Sequence, residues 1–554
     1  MAYQGVARLP VKREALDVPE ILRHFDQLKG MRSTWDTHWQ EVKERVWPHG
    51  PDFTTQRTPG DKRTEKMLDS TAALALEKFA AVLESIVTPR HQRYQKLTPS
   101  DDELKDDPES KKWLELATDW LFKVRAAPRA GFYMQKHEGY KSIGAFGNDS
   151  LFVERHPKGG VRYKHCSIAD VYVALDPWGQ VDTIFYRYDH TAKQSVQEWG
   201  DKAPQKAKDA LEKNPFQQHE YVHVVRPYKY QDTNAIGPLG WPWESAYICT
   251  DSKELVDTGG YKQMPYMYSR YTVNPKETYG RSPAMLVLGN IKILQEQKRT
   301  FLRAGHRVVS PPLLAHDDGV LGTGGRAITL RPDGINYGAV TPEGRPKVLP
   351  LVTGARLDLT EGMMEAEREV IHDAFLVRLF QILIDDPTVK TATEVLIRAQ
   401  EKGILLAPAV GRQQSEMLGP LTERELWIGI DSGELPPPPP QLTSYEIEYD
   451  SPATQYQKQS KLVGIGRSVE VAAPGIQIDP GLLFKYKWEE IIDESADALG
   501  VPVDLIRTDE EYAEKRAAYD QAQQAAQTMA MAQQGATAAK DAASAATMQQ
   551  AQAV

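Results

Sequence analysis

In this 554-residue sequence the stretch closest to a catalytic signature is His219-Glu220-Tyr221-Val222-His223. On a helix, two histidines four residues apart share one face. They could hold a zinc ion with the intervening glutamate as general base. The residues that follow, Val224-Val225-Arg226-Pro227-Tyr228, are β-branched and aromatic and indicate a strand instead. On a strand the two rings would stand roughly 13 Å apart, at about 3.3 Å per residue, beyond the reach of one metal. A zinc-dependent hydrolase working through His219 and His223 is therefore kept only as an alternative, and no catalytic, cofactor-binding or metal-binding residue is expected.

Other candidate chemistry is thinner. Gly319-Val320-Leu321-Gly322-Thr323-Gly324-Gly325-Arg326 is glycine-rich like a phosphate-binding loop, but lacks the Lys-Ser/Thr ending and reads as a turn. No G-x-S-x-G nucleophile elbow occurs. The acidic pairs Asp101-Asp102 and Asp106-Asp107 sit in polar linker sequence and read as solvated loop charge. Two cysteines, Cys166 and Cys249, cannot build a disulfide framework or a complete zinc site.

The most informative pattern is acidic. Glu361, Glu365, Glu369 and Asp373 recur every four residues and form one slowly drifting stripe along a helix. Like charges at this spacing cost a helix a few tenths of a kcal/mol per pair, at about 0.2–0.5 each. A solvated face, paired with Lys292, Arg299 and Arg303 of the preceding helix, is one account. The wall of a channel that repels phosphates is the other.

The elements that carry these residues follow from periodicity. Trp35, Trp39, Val42 and Val46 form an amphipathic stripe that ends at Pro48. Asp69-Ser70 starts a second helix with the stripe Leu76, Phe79, Leu83 and Ile86, and a third covers 111–125. From 151 to 272 the chain turns strand-rich around the turn Asp176-Pro177-Trp178-Gly179, with a helix near 192–213. Ser282-Pro283 opens a helix running to Arg307. A Gly/Pro-rich stretch with short strands follows, then a long helix from Leu357 to Leu383 that Asp385-Asp386-Pro387-Thr388 breaks. Thr391-Ala392-Thr393-Glu394 reads as a capping box, and Pro436 to Pro440 as a stiff spacer. Beyond Tyr519 the Ala/Gln/Met tail has helix propensity but little bulky apolar surface.

Bulk composition bounds the answer. A chain of this length suggests two to four cooperating units. With 41% hydrophobic and 26% charged residues and no apolar run of about 20, it reads as globular, without a membrane span. The first residues lack an apolar signal-peptide core. A net charge of -9 disfavours a protein that grips DNA through a basic face.

Several segments together resemble the head-to-tail connector (portal) family of short-tailed bacteriophages. Trp39 before Pro48, then Asp69-Ser70-Thr71 and Thr88-Pro89-Arg90, are similar to its N-terminal pattern. FYMQKHEGYKSIGAFGNDSLFVE is similar to its aromatic start, helix and glycine turn into a strand. Gly259-Gly260-Tyr261-Lys262-Gln263-Met264-Pro265, Arg270-Tyr271 and Tyr279-Gly280-Arg281-Ser282-Pro283 resemble its most recognisable block. TATEVLIRAQEKGILLAPAVGRQQSEMLGPLTERE looks like its helix after the channel.

The resemblance implies an α+β portal fold. Residues 1–282 would be a helical and strand-rich wing, 283–307 and 357–383 the two stem helices, and 308–356 a clip. The tunnel loop would be 384–391, with Asp385, Asp386, Pro387, Thr388, Val389 and Lys390 near DNA. Residues 392–500 would complete the wing, and 501–554 would be a crown, barrel or flexible tail. Glu361, Glu365, Glu369 and Asp373 would then line the channel. It also implies a dodecameric ring at one capsid vertex of the virion, assembled in the host cytoplasm. Double-stranded DNA would pass through without sequence specificity. The implied partners are the terminase large subunit, tail adaptor and nozzle proteins, and the major capsid, scaffold and internal core proteins, with no membrane and no cofactor. The rival reading within a virion is another ring-forming or tail adaptor component. Two stem-like helices around a strand-rich insert favour the portal.

Overall fold

The computed structural model describes residues 16–55, 57–58, 60–101, 104, 107–229, 231, 240–315, 339–351, 357–377, 408–449, 462–472, 474, 485–499 and 509–551. In chain order the elements are α1 (Val18–Val46), α2 (Thr71–Val87), β1 (Gln95–Pro99), α3 (Pro108–Ala126), α4 (Phe132–Phe146), β2 (Asn148–Arg155), β3 (Val161–His165), β4 (Val171–Leu175) and β5 (Val181–Thr191). Next come α5 (Ala192–Trp199), α6 (Gln205–Lys213), β6 (Gln218–Pro227), β7 (Trp243–Cys249), β8 (Glu254–Tyr261), β9 (Tyr266–Arg270), α7 (Pro283–Leu286) and α8 (Leu288–Val309). The rest are β10 (Leu313–Ala315), β11 (Val348–Pro350), α9 (Leu357–Ala374), α10 (Gly419–Ser432), β12 (Tyr445–Tyr449), α11 (Trp488–Leu499) and α12 (Asp509–Ala551). Every strand pairing described is antiparallel and helices are segregated from sheets, so the class is α+β.

Two compact units divide the chain. One comprises Met1–Tyr94, Asp119–Pro437 and Ser451–Ala453; the other comprises Gln95–Thr118, Pro438–Asp450 and Thr454–Val554. The expected proline spacer straddles one of these divisions.

In the first unit a five-stranded sheet of order β4-β5-β6-β7-β8 packs one face on α1. Alternation along the strands sorts the side chains: Phe185, Val222, Val224, Ala246 and Ile248 meet Ile21, Phe25 and Leu28. A second sheet, β3-β2-β9, lies beside α4. Arg32, 1% exposed, fastens α1 to the sheet by donating to the carbonyls of Ile168, Ala169 and Val171 at 2.7–2.9 Å.

The turn from α4 into β2 explains the glycine motif. Gly147 takes φ 78° to close the helix, and its backbone lies so close to Gly280 that neither position has room for a Cβ. Asn148 seals the contact, accepting from the Gly280 amide at 2.7 Å and the Tyr268 hydroxyl at 3.0 Å, and donating to the Phe146 carbonyl. Ser282 sits at the start of α7, accepting from the Met285 amide and donating to the Ala145 carbonyl. The expected single helix from Ser282 to Arg307 is thus two pieces, broken at Val287.

The second unit pairs β1 with β12 and carries α11 and the 43-residue α12. Of α12, the described side chains from Glu511 to Met529 are all exposed.

Candidate functional site

Helix α9, packed against α8, holds the acidic stripe, and its geometry starts from a single acidic node. Gln295 of α8 is buried, and its amide accepts from the Leu68 and Asp69 N–H groups at 2.6 and 2.9 Å and donates to the Asp69 carbonyl at 2.9 Å. From α9, Arg368 reaches the Asp69 carboxylate at 2.8 Å. Asp69 also accepts from the amide and hydroxyl of Thr71 at the start of α2. Burial pushes the Asp69 carboxyl up, but the bonds from Thr71 and Arg368 outweigh it and hold the group below its ordinary range.

On α9, Met364 and Ile371 face inward. Glu361, Glu365, Glu369 and Asp373 are all exposed, as a stripe on the opposite flank requires. Two of the cations expected to neutralise them bond elsewhere: Lys292 pairs with Glu41 of α1 at 2.8 Å and Arg299 with Glu296 at 2.6 Å. Glu365 pairs with Arg368 at 3.0 Å.

A second pattern on the same two helices was not read from sequence. On α8, Asn290 and Ile293 share a stripe at i+3 spacing, as Leu359, Met363, Glu367 and Val370 do at i+3/i+4 on α9. Asn290 donates to Glu367 at 2.9 Å, which places both stripes on one side of the pair. Ile293 is 48% exposed, Leu359 59% and Met363 52%, so this side presents apolar surface to solvent.

Helix α9 is interrupted after Ala374, and Val377, the last described residue of this segment, is again helical; 378–383, the rest of the expected helix, lie outside the described residues. Leu376 adopts a left-handed φ of 59°, while Phe375 and Val377 are buried, with Phe375 edge-on to Phe79 of α2. Residues 378–407 lie outside the described residues. So do the tunnel-loop positions Asp385, Asp386, Pro387, Thr388, Val389 and Lys390, the capping box at Thr391, and the glycine stretch 319–326.

The histidine pair sits on a strand. His219 and His223 lie on β6, pairing with His190 and Tyr186 of β5. His223 is buried, stacked on Tyr247 with ring centroids 4.0 Å apart, and its two ring nitrogens bond to Tyr266 and Ser245. Burial, with help from Lys164, lowers its pKa to about 3, so the ring is neutral. His219 instead approaches Asp251. Among the described residues no cluster of His, Cys, Asp or Glu is arranged to hold a metal. Asp107 has a local task, accepting from the Ser110 amide at the start of α3.

Sequence reasoning also missed three buried ionic knots. Arg125 and Glu425 are fully buried and bonded at 2.6 Å, with Tyr163 donating to Glu425 at 2.5 Å and Arg125 donating to Tyr94 and Thr422. Asp149 faces Lys136 and His165. Burial would raise its pKa, but the Lys136 ammonium and the hydrogen bond with His165 bring it down to about 2. Arg270 meets Glu416, which sits in a π-helical turn, Gln414–Leu418. These partners lie far apart in sequence, and only the Lys136–Asp149 spacing is short enough to have hinted at contact.

The profile of the bacteriophage head to tail connecting protein family matches residues 18–506. The chain belongs to that family. Its function is accordingly that of a portal, a structural component of a bacteriophage particle. The "Probable portal protein" of Bordetella phage BPP-1 is 29% identical over 533 residues, 94% of each chain. The "Portal protein" of Salmonella phage epsilon15 is 28% identical over 530 residues, again 94% of each. Among solved structures, a chain from the neck of an empty GTA particle computed with C6 symmetry aligns over 72% of this chain and 86% of its own length. At 14% identity and a TM-score of 0.36, that likeness carries no weight here. No helix of the described residues is long and apolar enough to cross a membrane.

Proposed function

We propose that identical copies close into a dodecameric ring at one capsid vertex, through which duplex DNA is packaged and later ejected. The chain then needs no catalytic centre of its own. Residues 1–282 and 392–500 form the wing, 283–307 and 357–383 the stem, 308–356 the clip and 501–554 the crown. The 384–391 loop, from Asp385 to Lys390, approaches DNA. Terminase and, later, tail adaptor and nozzle proteins dock on the ring, while capsid, scaffold and internal core proteins surround it. The virion vertex is its place, after assembly in the host cytoplasm.

The observation that carries the channel reading is the exposed carboxylate stripe Glu361–Glu365–Glu369–Asp373 on a helix whose other faces are otherwise engaged or apolar. Repeated around a ring, it would give a lumen that phosphates do not adhere to, with contacts weak and screened by salt. The apolar side of the stem supports assembly, since a head-to-tail contact between copies would remove it from water.

Charge reversal tests the wall. Rings carrying Glu369→Lys and Asp373→Lys should still form, but should retain DNA more tightly and package it more slowly. Unchanged translocation in intact variant rings would sink the channel assignment.

A further inference from the structure

The end of α9 joins two unusual features. Arg368 is divided between Glu365 of the exposed stripe and Asp69 of the α2 approach, at 3.0 and 2.8 Å. Two turns later the backbone leaves the helix at Leu376, with φ 59°. A left-handed conformation disfavours a leucine by about tenfold or more in population, because its Cβ crowds the following carbonyl. The Leu376 amide closes the helix end by donating to the Asp373 carbonyl at 3.0 Å, yet the sequence from His372 to Asp385 contains no glycine or proline to take that conformation cheaply. Docking accompanies it. With Leu376 turned, Phe375 and Val377 sink to 1% and 3% exposure, and Phe375 meets Phe79 on α2.

We propose that the end of α9 is a sprung latch on α2, a two-state element with Arg368–Asp69 as its bolt and Leu376 as its spring. In the closed state described above, the bolt and the Phe375 contact hold Leu376 left-handed. When they release, Leu376 returns to helical φ and α9 runs on through it, as its composition favours. Because Arg368 also holds Glu365, the latch links the charge of the stripe to the attachment of α2. The latch is a property of the single chain and goes beyond the ring reading, which electron microscopy of the same samples scores separately.

Hydrogen exchange on the full-length protein tests it, comparing amides of 371–377 with those of the five-stranded sheet. Arg368→Met should speed exchange at 371–377 by about tenfold while the sheet amides stay unchanged. Leu376→Gly removes the left-handed penalty and should slow exchange there by a few-fold; combined with Arg368→Met it should restore near-wild-type protection. Uniform acceleration in Arg368→Met would show a general loss of stability and overturn the latch. So would faster exchange at 371–377 in Leu376→Gly, or no change in either variant.

Discussion

The joint of α4, β2 and the Tyr279–Pro283 segment completes itself within one chain, whereas the α8–α9 pair does not. At the joint, each charge or amide described has its partner inside: Lys136 with Asp149, Asn148 with Gly280 and Tyr268, Ser282 with Ala145. On the α8–α9 pair the stripe carboxylates face solvent and so do Ile293, Leu359, Met363 and Val370. Buried polar groups are costly unless satisfied, so the first region specifies a fold. Exposed apolar side chains gathered on one side mark a surface meant to be covered. The contrast separates what the chain needs to fold from what it needs to assemble.

The largest expected effect comes from breaking a buried knot. Arg125→Leu leaves Glu425 without its guanidinium and should destabilise the first unit by about 3–5 kcal/mol, read as a large fall in thermal midpoint. Replacing Glu425 with Gln in the same chain should recover part of the loss, since the stranded charge goes with it.

Next is the backbone contact. Gly280→Ala inserts a methyl where the Gly147 carbonyl already lies, and should cost about 1–3 kcal/mol or more by denaturant unfolding. An alanine tolerated without loss would mean the joint is looser than described.

Acid should act through His223. Its folded pKa of about 3 lies below the usual 6.5, so the neutral ring's contribution is complete above pH 6.5 and is lost as pH falls toward 3. At about 1.4 kcal/mol per unit the total is a few kcal/mol. His223→Gln keeps a donor and an acceptor but cannot titrate, so its stability should depend less on pH across that window.

Smallest in stability, though not in consequence, is a change on α9. Met363→Asp on the exposed apolar side should alter the monomer's stability by no more than about 0.5 kcal/mol while weakening ring formation. Intact rings from Met363→Asp would show that this side is not a contact between copies.

Much of this contrast was legible beforehand, and for physical reasons. The stripe Trp39–Val42–Val46, the strand character around His223 and the carboxylates every four residues on α9 are local periodicities, and each is seen in the structure. The break at Val287 and the end of α9 at Ala374 were not legible. The first divides a continuous helical pattern, and the second coincides with Phe375 docking on α2, which local propensity cannot register. The apolar stripes of α8 and α9 were overlooked because Asn290 and Glu367 interrupt them; only their mutual hydrogen bond shows that they share a side. Arg125 and Glu425 stand 300 residues apart, and no pattern in a single sequence pairs them.

The proposed ring is tested most directly by electron microscopy of the purified protein, with particle mass from light scattering. Closed head-to-tail rings with an opening wide enough for duplex DNA, and a mass matching a dodecamer, are the predicted result. A stable monomer or two-fold dimer at every salt concentration would contradict it.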